Sequence, residues 1–337
     1  MKLLKNIFSI TENSIKNGDK HIIITILGIK IQIKKHYINI DYLSNKKDEV
    51  IIRHKCPLCG ETKYVLKEEY EINKLIKDWK NKYAFIPIGD NYKDNLLERR
   101  VCKNCGIHYY NYLIPDTNEF YQRLTNLHPI YSKNKWDYNE ALGIVQKYKP
   151  SRLLDIGCGY GYFIDKIKNY IEYVAGTEFN ELAIKECTKK GIKIYDKDLS
   201  QINEKFNMIT AFQVLEHVTD IKTFITNVKD LLNPNGLLLF VTPNPNSELI
   251  KYNPGILELP PHHNLDIPKE TYEYIAKQNN LKIIDYKTQE IMPFDYKIYL
   301  KAKYNINYNK NTMHTCYLKE KDKLIGKSHL ILFQKQQ

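Results

Sequence analysis

The stretch that decides the fold is residues 153–163, LLDIGCGYGYF. An apolar run is followed by Asp155 and then by glycine at alternate positions, Gly157, Gly159 and Gly161. The run predicts a buried strand, and the glycines predict a loop where the backbone passes close to a ligand. In a dinucleotide-binding loop, G-x-G-x-x-G, the third glycine falls one residue later than here. The carboxylate at the strand end would also repel a pyrophosphate, so the stretch argues against a dinucleotide site.

The carboxylate instead suits a ligand that carries an amino group and a sulfonium and has no phosphate. S-adenosylmethionine (SAM) has that composition. Glu178 lies 21 residues after Gly157, at the end of the next predicted strand, where it can accept hydrogen bonds from both ribose hydroxyls. Asp198 follows the third predicted strand and can accept from the adenine amino group. The sequence therefore predicts SAM as the cofactor, held by Asp155, the three glycines, Glu178 and Asp198.

Strand-like and helix-like segments alternate from Arg152 onward, which predicts a parallel, doubly wound α/β sheet. Strands are predicted near 153–156, 173–177, 192–195, 207–212 and 237–241, with a terminal strand at 329–335. Helices are predicted near 138–149, 161–170, 180–190, 220–232 and 268–280. The sequence NPNG at 233–236 predicts a turn between a helix and the fifth strand. Such sheets bind ligands at the carboxyl ends of their strands.

Two C-x-x-C-G segments, CPLCG at 56–60 and CKNCG at 102–106, predict a metal site. Their four thiolates are Cys56, Cys59, Cys102 and Cys105, the ligand set of a closed, structural zinc centre. The 42 residues between the pairs exceed the usual spacing, so a helical insertion is predicted near 68–82. Rubredoxin-like iron uses the same ligands, and buried free thiols are the alternative without a metal. The remaining cysteines, Cys158, Cys187 and Cys316, are interpreted as unpaired and structural.

The formal net charge of +12 is concentrated at the two ends of the chain. Residues 1–55 carry 11 Lys or Arg against 5 Asp or Glu, and residues 301–337 carry 8 against 2. Residues 56–300 therefore have equal numbers of both signs, whereas a nucleic-acid enzyme is expected to place its basic excess around the active domain. Only 5 of the 51 cations are arginine, which supplies few bidentate phosphate contacts. No nucleic-acid partner is expected.

The longest apolar run, Ile22–Ile29, is too short to span a bilayer. It also follows a polar, charged stretch, so neither a transmembrane segment nor a signal peptide is expected. Residues 21–40 alternate apolar and polar residues and predict two strands that turn near Leu27–Gly28. We interpret the protein as cytoplasmic; its oligomeric state is left open.

Four segments in this order resemble class I SAM-dependent methyltransferases. They are LLDIGCGYGYF, the strand end at Glu178, FQVLEHVTD at 212–220 and LLNPNGLLLFVTPNP at 231–245. The last two are most similar to the branch that includes the ubiquinone-type O-methyltransferases. The resemblance covers roughly residues 138–337 and implies a seven-stranded, Rossmann-like sheet whose last strand runs antiparallel. It also implies an S-adenosylmethionine-dependent methyltransferase, and therefore an enzyme.

An oxygen nucleophile needs a base to take its proton. His217 and His263 are the first candidates, because a neutral imidazole is a suitable base near neutral pH; Glu216 and His262 lie beside them. The alternative for His217 is a capping or packing role at the start of the next helix. The alternative for His262 and His263 is to shape the rim of a loop, with Asp266 near the cap of the helix that begins at Pro268.

Ubiquinone-type relatives have an acid three residues before the Glu-His pair, in what resembles a metal site. Gln213 occupies that position here, and an amide is a poor ligand, so a catalytic magnesium is not expected. Gln213 is interpreted as a residue that lines the cofactor or the substrate.

A zinc ribbon ahead of a SAM domain resembles nucleotide-sugar C-methyltransferases. Those enzymes carry a further large C-terminal domain for which this chain has no room, so the resemblance favours a zinc module in contact with substrate more than it favours C-methylation. The N-terminal segment is similar to short leaders on bacterial surface-polysaccharide enzymes. The expected domains are a hairpin or leader segment (1–50), a zinc ribbon with a helical insertion and connector (51–137) and the methyltransferase domain (138–337).

The expected reaction is O-methylation of a small hydroxyl compound or a sugar in surface-glycan biosynthesis. C- or N-methylation of a nucleotide sugar is the alternative within enzymes, and the sequence does not separate these acceptor atoms. A non-catalytic module that pairs a zinc ribbon with a SAM fold is the alternative outside enzymes. The intact cofactor motifs argue against it.

Overall fold

The computed structural model describes residues 8–14, 20–26, 29–35, 50–114, 118–127, 132–305 and 310–337. The first three ranges are strands β1 (Phe8–Ser14), β2 (Lys20–Ile26) and β3 (Ile29–Lys35), which form an antiparallel sheet in that order. The pairing of β2 with β3 agrees with the predicted hairpin, whose turn at Leu27–Gly28 lies outside the described residues.

Five strands follow in the cysteine-containing region. They are β4 (Ile51–Ile52), β5 (Tyr64–Glu71), β6 (Leu96–Cys102), β7 (His108–Tyr110) and β8 (Tyr112–Leu113). The remaining strands are β9 (Arg152–Ile156), β10 (Tyr173–Thr177), β11 (Lys193–Tyr195), β12 (Phe206–Phe212), β13 (Leu232–Pro243), β14 (Leu265–Asp266), β15 (Leu281–Glu290) and β16 (Ile325–Lys335).

The main sheet has seven strands in the order β11-β10-β9-β12-β13-β16-β15. Strands β9 to β13 pair in parallel, and β16 runs antiparallel to both of its neighbours. Chain order reverses direction between β9 and β12, which is the position where sheets of this class bind ligands. The doubly wound seven-stranded sheet and its antiparallel last strand are confirmed.

Ten helices lie in the described part of the chain. They are α1 (Ile72–Tyr83), α2 (Asn118–Leu127), α3 (Trp136–Tyr148), α4 (Tyr162–Ile167), α5 (Glu181–Lys189), α6 (Ile221–Leu231), α7 (Glu248–Tyr252), α8 (Lys269–Gln278), α9 (Pro293–Tyr304) and α10 (Lys310–Glu320). Among the described helices, none combines the length and the apolar character that crossing a membrane requires.

The NPNG segment is the clearest difference from the expected secondary structure. Helix α6 ends at Leu231 and β13 begins at the next residue, so the segment lies inside the strand. Phe206 of β12 pairs with Leu232, whereas Met208 pairs with Leu237. The additional residues on one side make a bulge, with Asn235 at a φ of 61°. Turn-forming residues here bend the strand instead of separating it from the helix.

The cysteine-containing region is joined to the main domain through a shared sheet and a shared core. The four-stranded sheet has the order β14-β7-β6-β5, so β14 of the main domain pairs with β7. Cys56, Cys102 and Cys105 belong to the same hydrophobic cluster as Leu154 and Phe240 of the main sheet. The proposed boundary at 137/138 therefore separates two regions that are packed against each other.

The helical insertion begins later than expected, because β5 occupies the residues before α1. Trp79 of α1 is fully buried beside Phe85 and Phe120, and the same cluster includes Leu259 from the loop after α7. The insertion and α2 thus pack against the loop that carries the two adjacent histidines. This packing fixes one wall of the cavity described next.

Candidate active site

A cavity of about 970 Å³ opens at the carboxyl ends of the central strands. Its volume falls in the range of small-molecule and cofactor sites. The wall on the side of β9 and β10 includes the predicted cofactor residues Gly157, Gly159, Glu178 and Asp198. Gln213 and the three histidines line the same cavity. One cavity therefore brings together residues that are far apart in sequence.

The glycine loop follows β9 with positive φ at each alternate residue. Gly157, Gly159 and Gly161 have φ of 66°, 54° and 70°. A Cβ atom on Gly157 would lie 2.7 Å from Cγ2 of Val214 in the loop after β12. A side chain here would meet both backbone strain and a steric clash. The close approach of these two loops explains the requirement for glycine.

Glu178 closes the loop from the end of β10. Its Oε2 accepts a hydrogen bond from the backbone N–H of Gly159 at 2.8 Å. Its Oε1 accepts from the N–H groups of Phe179 and Asn180, both at 2.8 Å. The carboxylate is thus fixed on the cavity wall by backbone donors, in a position to bind a ligand that enters beside the loop.

Asp155 lies off the cavity wall, in contrast to the direct ligand contact expected from the sequence. Its side chain is 2% exposed, and its Oδ1 accepts from the Thr210 hydroxyl of β12 at 2.7 Å. Burial raises the pKa of this carboxyl to about 7. The contact joins the two central strands directly below the glycine loop, which makes Asp155 a residue that positions the loop.

Asp155→Asn is expected to change how stability depends on pH. The folded-state pKa of about 7 lies above the unfolded value, so the folded protein binds this proton more tightly and loses stability as pH rises toward 7. We expect wild type to lose about 2–3 kcal/mol relative to the variant between about pH 5 and pH 8. Urea unfolding of both proteins across this range measures the difference, and a constant difference would contradict the assignment.

Asp198 and Gln213 also line the cavity. Asp198 is exposed and precedes a short 3-10 turn at Leu199–Gln201. Gln213 follows β12 with a φ of 57°, and its N–H donates to the carbonyl of Val241 at 2.8 Å. Both side chains are available to a ligand in the cavity.

Three imidazoles form the other side of the cavity. His217 comes from the loop after β12, and His262 and His263 come from the loop before β14. The ring centres are 4.5–4.9 Å apart. Burial and the neighbouring His263 lower the pKa of His217 to about 3. Burial alone would lower the pKa of His263, but the Glu258 carboxylate outweighs it and the net shift is upward.

Glu216 is buried behind the imidazoles. Its side chain is 1% exposed, and burial raises its pKa to about 7. Its backbone carbonyl accepts from the N–H groups of Asn264 at 2.9 Å and Leu265 at 3.1 Å. These bonds hold the Glu216–His217 turn against the loop that carries His262 and His263.

The capping roles considered for His217 and Asp266 do not agree with the geometry. Helix α6 begins at Ile221, and the side chain that caps it is Asp220, so His217 does not cap the helix. Asp266 does not cap α8; it pairs with the Arg99 guanidinium of β6 at 2.5 Å. The guanidinium charge of the buried Arg99 is compensated by this carboxylate and by Glu68.

Two side chains at the histidines had no sequence signal. The Tyr121 hydroxyl of α2 lies 3.0 Å from Nδ1 of His217, although the residues are 96 positions apart. Oε2 of Glu258 lies 3.1 Å from Nδ1 of His263. Tyr121 belongs to a segment read as a connector, and Glu258 to a loop with no periodic pattern. Only the folded arrangement brings them to the cavity.

The four cysteines of the two C-x-x-C pairs converge as predicted. Sγ of Cys56 and Cys105 are 3.5 Å apart, and Sγ of Cys59 and Cys102 are 3.4 Å apart. All four sulfurs lie within 4.8 Å of one another. Tetrahedral zinc with Zn–S bonds of about 2.3 Å places its sulfurs roughly 3.8 Å apart. The donor set and its spacing therefore fit zinc.

The two knuckles have matching backbone geometry. Gly60 and Gly106 have φ of 76° and 75°, and each donates its N–H to the carbonyl of the first cysteine of its pair. Between them the two turns bring four sulfurs to one point. None of the seven cysteines forms a disulfide, and the other three lie outside this cluster.

Comparison with known proteins agrees with this architecture. Residues 134–286 match a family model described as a methyltransferase domain. The chain is 31% identical over 119 residues to the ubiquinone biosynthesis O-methyltransferase of Dinoroseobacter shibae, a match that covers 33% of this chain and 48% of that protein. The corresponding protein of Coxiella burnetii is 26% identical over 180 residues, covering 48% of this chain and 76% of that protein.

The chain thus spans about half the length of the first of these relatives. A SAM-dependent methyltransferase structure from Archaeoglobus fulgidus aligns with a TM-score of 0.43 and 19% identity, over 59% of this chain and 94% of that chain. The family match falls on the glycine loop and on the strands around the cavity. Residues 134–286 are thus similar to a methyltransferase domain, and the strand order and the loop geometry agree with a class I SAM-dependent methyltransferase fold.

Proposed function

We propose that this protein transfers the methyl group of SAM to an oxygen atom of a small hydroxyl compound or sugar, in the biosynthesis of a surface glycan. The observation that carries the proposal is the single cavity of about 970 Å³ whose wall includes both Glu178 and the histidine cluster. A cofactor on one side and an acceptor on the other would meet inside it. Methyl transfer depends chiefly on such positioning.

Gly157, Gly159, Glu178 and Asp198 are the residues proposed to hold the cofactor, with Gln213 beside them. Bound there, SAM supplies an electrophilic methyl group on a sulfonium. The loop backbone allows close approach, and Glu178 and Asp198 supply acceptors for hydroxyl and amino groups. The support for this assignment is that all of these residues line the same cavity.

His263 or His217 is proposed to accept the proton of the acceptor hydroxyl. Geometry favours His263, because Glu258 lies 3.1 Å from its Nδ1 and can hold the imidazole with Nε2 free to act. A carboxylate that orients a histidine in this way is a recurring arrangement for a general base. Glu216 acts beside them as a positioning residue, through the backbone bonds of its carbonyl to the histidine loop.

The oxygen acceptor is supported by the relatives, which are named as ubiquinone biosynthesis O-methyltransferases. The glycan acceptor rests on the cysteine module and on the N-terminal segment, through their resemblance to surface-polysaccharide enzymes. Incubation with isotope-labelled methyl-SAM and a panel of sugars, nucleotide sugars and phenols tests both points. Carbon NMR of the product identifies the acceptor atom, and a methyl group on nitrogen or carbon would overturn the oxygen assignment.

Three further parts of the proposal concern the whole protein. The four cysteines hold a structural zinc ion, supported by their spacing. The chain consists of a leader at 1–50, a zinc ribbon with insertion at 51–137 and a methyltransferase domain at 138–337. The protein is proposed to act in the cytoplasm, where both SAM and soluble sugar precursors of glycans are available.

Glu178→Gln is expected to weaken binding of SAM and of its demethylated product. The carboxamide keeps the shape of the side chain but loses one acceptor oxygen and the charge, and each charge-assisted hydrogen bond is worth about 1.5–3 kcal/mol. A loss of about 3 kcal/mol, roughly a hundredfold in Kd, is expected by titration calorimetry. Glu181→Gln, an exposed position on α5, is the matched control and should bind normally. Equal affinities for all three proteins would contradict the role of Glu178.

A further inference from the structure

Two cysteines lie beside the glycine loop, outside the four-cysteine cluster. Cys158 stands between Gly157 and Gly159, and Cys187 lies in α5. Their thiols share a hydrogen bond, and both side chains belong to one small hydrophobic cluster with Ile164. A loop and a helix therefore bring two thiols together next to the proposed cofactor wall.

Both thiols contact the backbone of the loop. Sγ of Cys187 lies 3.2 Å from the carbonyl oxygen of Gly159, and Sγ of Cys158 lies 3.8 Å from the same atom. The N–H of Gly159 donates to the Glu178 carboxylate at 2.8 Å. Gly159 therefore joins the thiol pair to the carboxylate that is proposed to bind the cofactor.

The sulfurs are packed closely against glycines of the sheet and the loop. A Cβ atom on Gly176 of β10 would lie 2.5 Å from Sγ of Cys158, and one on Gly161 would lie 3.2 Å from Sγ of Cys187. A disulfide bond of about 2.05 Å would bring the two sulfurs closer together than a hydrogen bond does. Because the surrounding atoms are close-packed, the glycine loop is expected to shift when that bond forms.

The two thiols differ in access and in acidity. Cys158 lines the cavity, whereas Cys187 is fully buried behind it. The hydrogen bond between them lowers the pKa of Cys187 and raises the pKa of Cys158. Cys187 therefore ionises first, and its thiolate can take the proton of Cys158 when that sulfur attacks an electrophile. A cysteine that meets the oxidant and a second one beside it are the parts of a redox-active pair.

We propose that Cys158 and Cys187 are a redox-active thiol pair that a hydroperoxide entering the cavity oxidises to a disulfide. The sulfur of Cys158 attacks the peroxide, the O–O bond breaks, and a sulfenic acid forms as water or an alcohol leaves. The sulfur of Cys187 then attacks the sulfenic sulfur, the S–S bond forms, and a second molecule of water leaves. The two thiols lose two electrons and the peroxide gains two, so no further reactant is needed.

The consequence for SAM rests on the proposed function. The disulfide removes the S–H groups that contact the carbonyl of Gly159, and it shifts the loop that carries Gly157 and Gly159. Oxidation should therefore weaken cofactor binding, and a thiol reductant should restore it. A bound cofactor should in turn shield Cys158, because both occupy the same wall of the cavity.

The test is treatment of the reduced full-length protein with hydrogen peroxide, followed by trypsin digestion and mass spectrometry. Cleavage after lysine and arginine isolates the two thiols in peptides 153–166 and 186–189. We expect a disulfide to join these peptides in wild type, and dithiothreitol to separate them. The Kd of the demethylated cofactor product should rise at least about tenfold on oxidation, equivalent to the loss of one hydrogen bond. Saturation with that product should slow formation of the linked peptide at least about tenfold, because only the free protein admits the oxidant.

Three variants assign the effect to the pair. Cys187→Ala removes the second thiol, so no linked peptide should form, and dimedone, which traps sulfenic acids, should label Cys158. In the double variant Cys158→Ser with Cys187→Ala, peroxide should leave the Kd unchanged, which separates the pair from oxidation of the four-cysteine cluster. Cys316→Ser is the matched control and should give the linked peptide as wild type does.

Recovery of both peptides with free thiols, at peroxide concentrations that oxidise the four-cysteine cluster, would overturn the thiol pair. A Kd that rises equally in the double variant would overturn its effect on the cofactor. Reduced wild type that does not bind the demethylated product would instead contradict the proposed function. The linked peptide is measured without any cofactor, so the two failures are distinguishable.

Discussion

His263→Ala is expected to lower kcat on the true acceptor by about 10²–10⁴-fold, the usual effect of removing a general base. The imidazole is 6% exposed on the cavity wall and held by Glu258, so its loss removes a reacting group while the cofactor wall is unchanged. His217→Ala is expected to fall in the same range, because its side chain lines the same cavity. Steady-state rates with labelled SAM measure both variants.

Affinity for the demethylated cofactor product should stay within a few-fold of wild type in both variants, since Glu178 and the glycine loop lie on the opposite wall. His314→Ala is the control for loss of a histidine away from the cavity. Near wild-type turnover in His217→Ala, His262→Ala and His263→Ala would show that no histidine acts, and positioning alone would then carry the reaction.

The parallel strands could be predicted because each one is a short buried run followed by a helix with its own apolar face. Strands near β9, β10, β12 and β13 were located within a few residues for this reason. β15 was missed. It pairs along only one side. Apart from the buried Leu281, its residues are half-buried to exposed, so the sequence LKIIDYKTQE shows no strong alternation of apolar and polar residues. The bulge in β13 was also missed, because NPNG carries the same turn-forming residues whether it precedes a strand or bends it.

The candidate site could be predicted where a residue is fixed by its position at a strand end. Glu178 and His217 fall on the cavity wall for this reason. Asp155 does not lie on the cavity wall, because its side chain contacts Thr210 on the neighbouring strand. The motif does not predict to which side a residue at the end of a strand points. The contacts of Tyr121 and Glu258 depend on tertiary packing of segments without a periodic pattern.

Cys102→Ser is expected to release the sulfur-bound zinc and to lower turnover at least about tenfold, because the cysteine module supports the histidine loop. Cys105 accepts a hydrogen bond through its carbonyl from the Thr271 hydroxyl of α8 at 2.9 Å. β7 pairs with β14, directly after His263. Structural zinc in small domains contributes on the order of 10 kcal/mol to the free energy of folding. Its loss should therefore loosen β6, β7 and the strand β14 that pairs with β7.

Hydrogen exchange of wild type and Cys102→Ser measures where the loosening reaches. We expect faster exchange in residues 50–110 and in the loop before β14. Arg53 of the cysteine-containing region donates hydrogen bonds to the carbonyls of Asn264 and Thr219, so loosening of that region should reach this loop. Glu178 and the glycine loop follow β10 and β9 of the main sheet, so affinity for the demethylated product should change little. Cys316→Ser, a thiol on α10 outside the cluster, is the control and should keep zinc and turnover. Full turnover in Cys102→Ser after loss of the sulfur-bound zinc would show that the module does not position the acceptor side of the cavity.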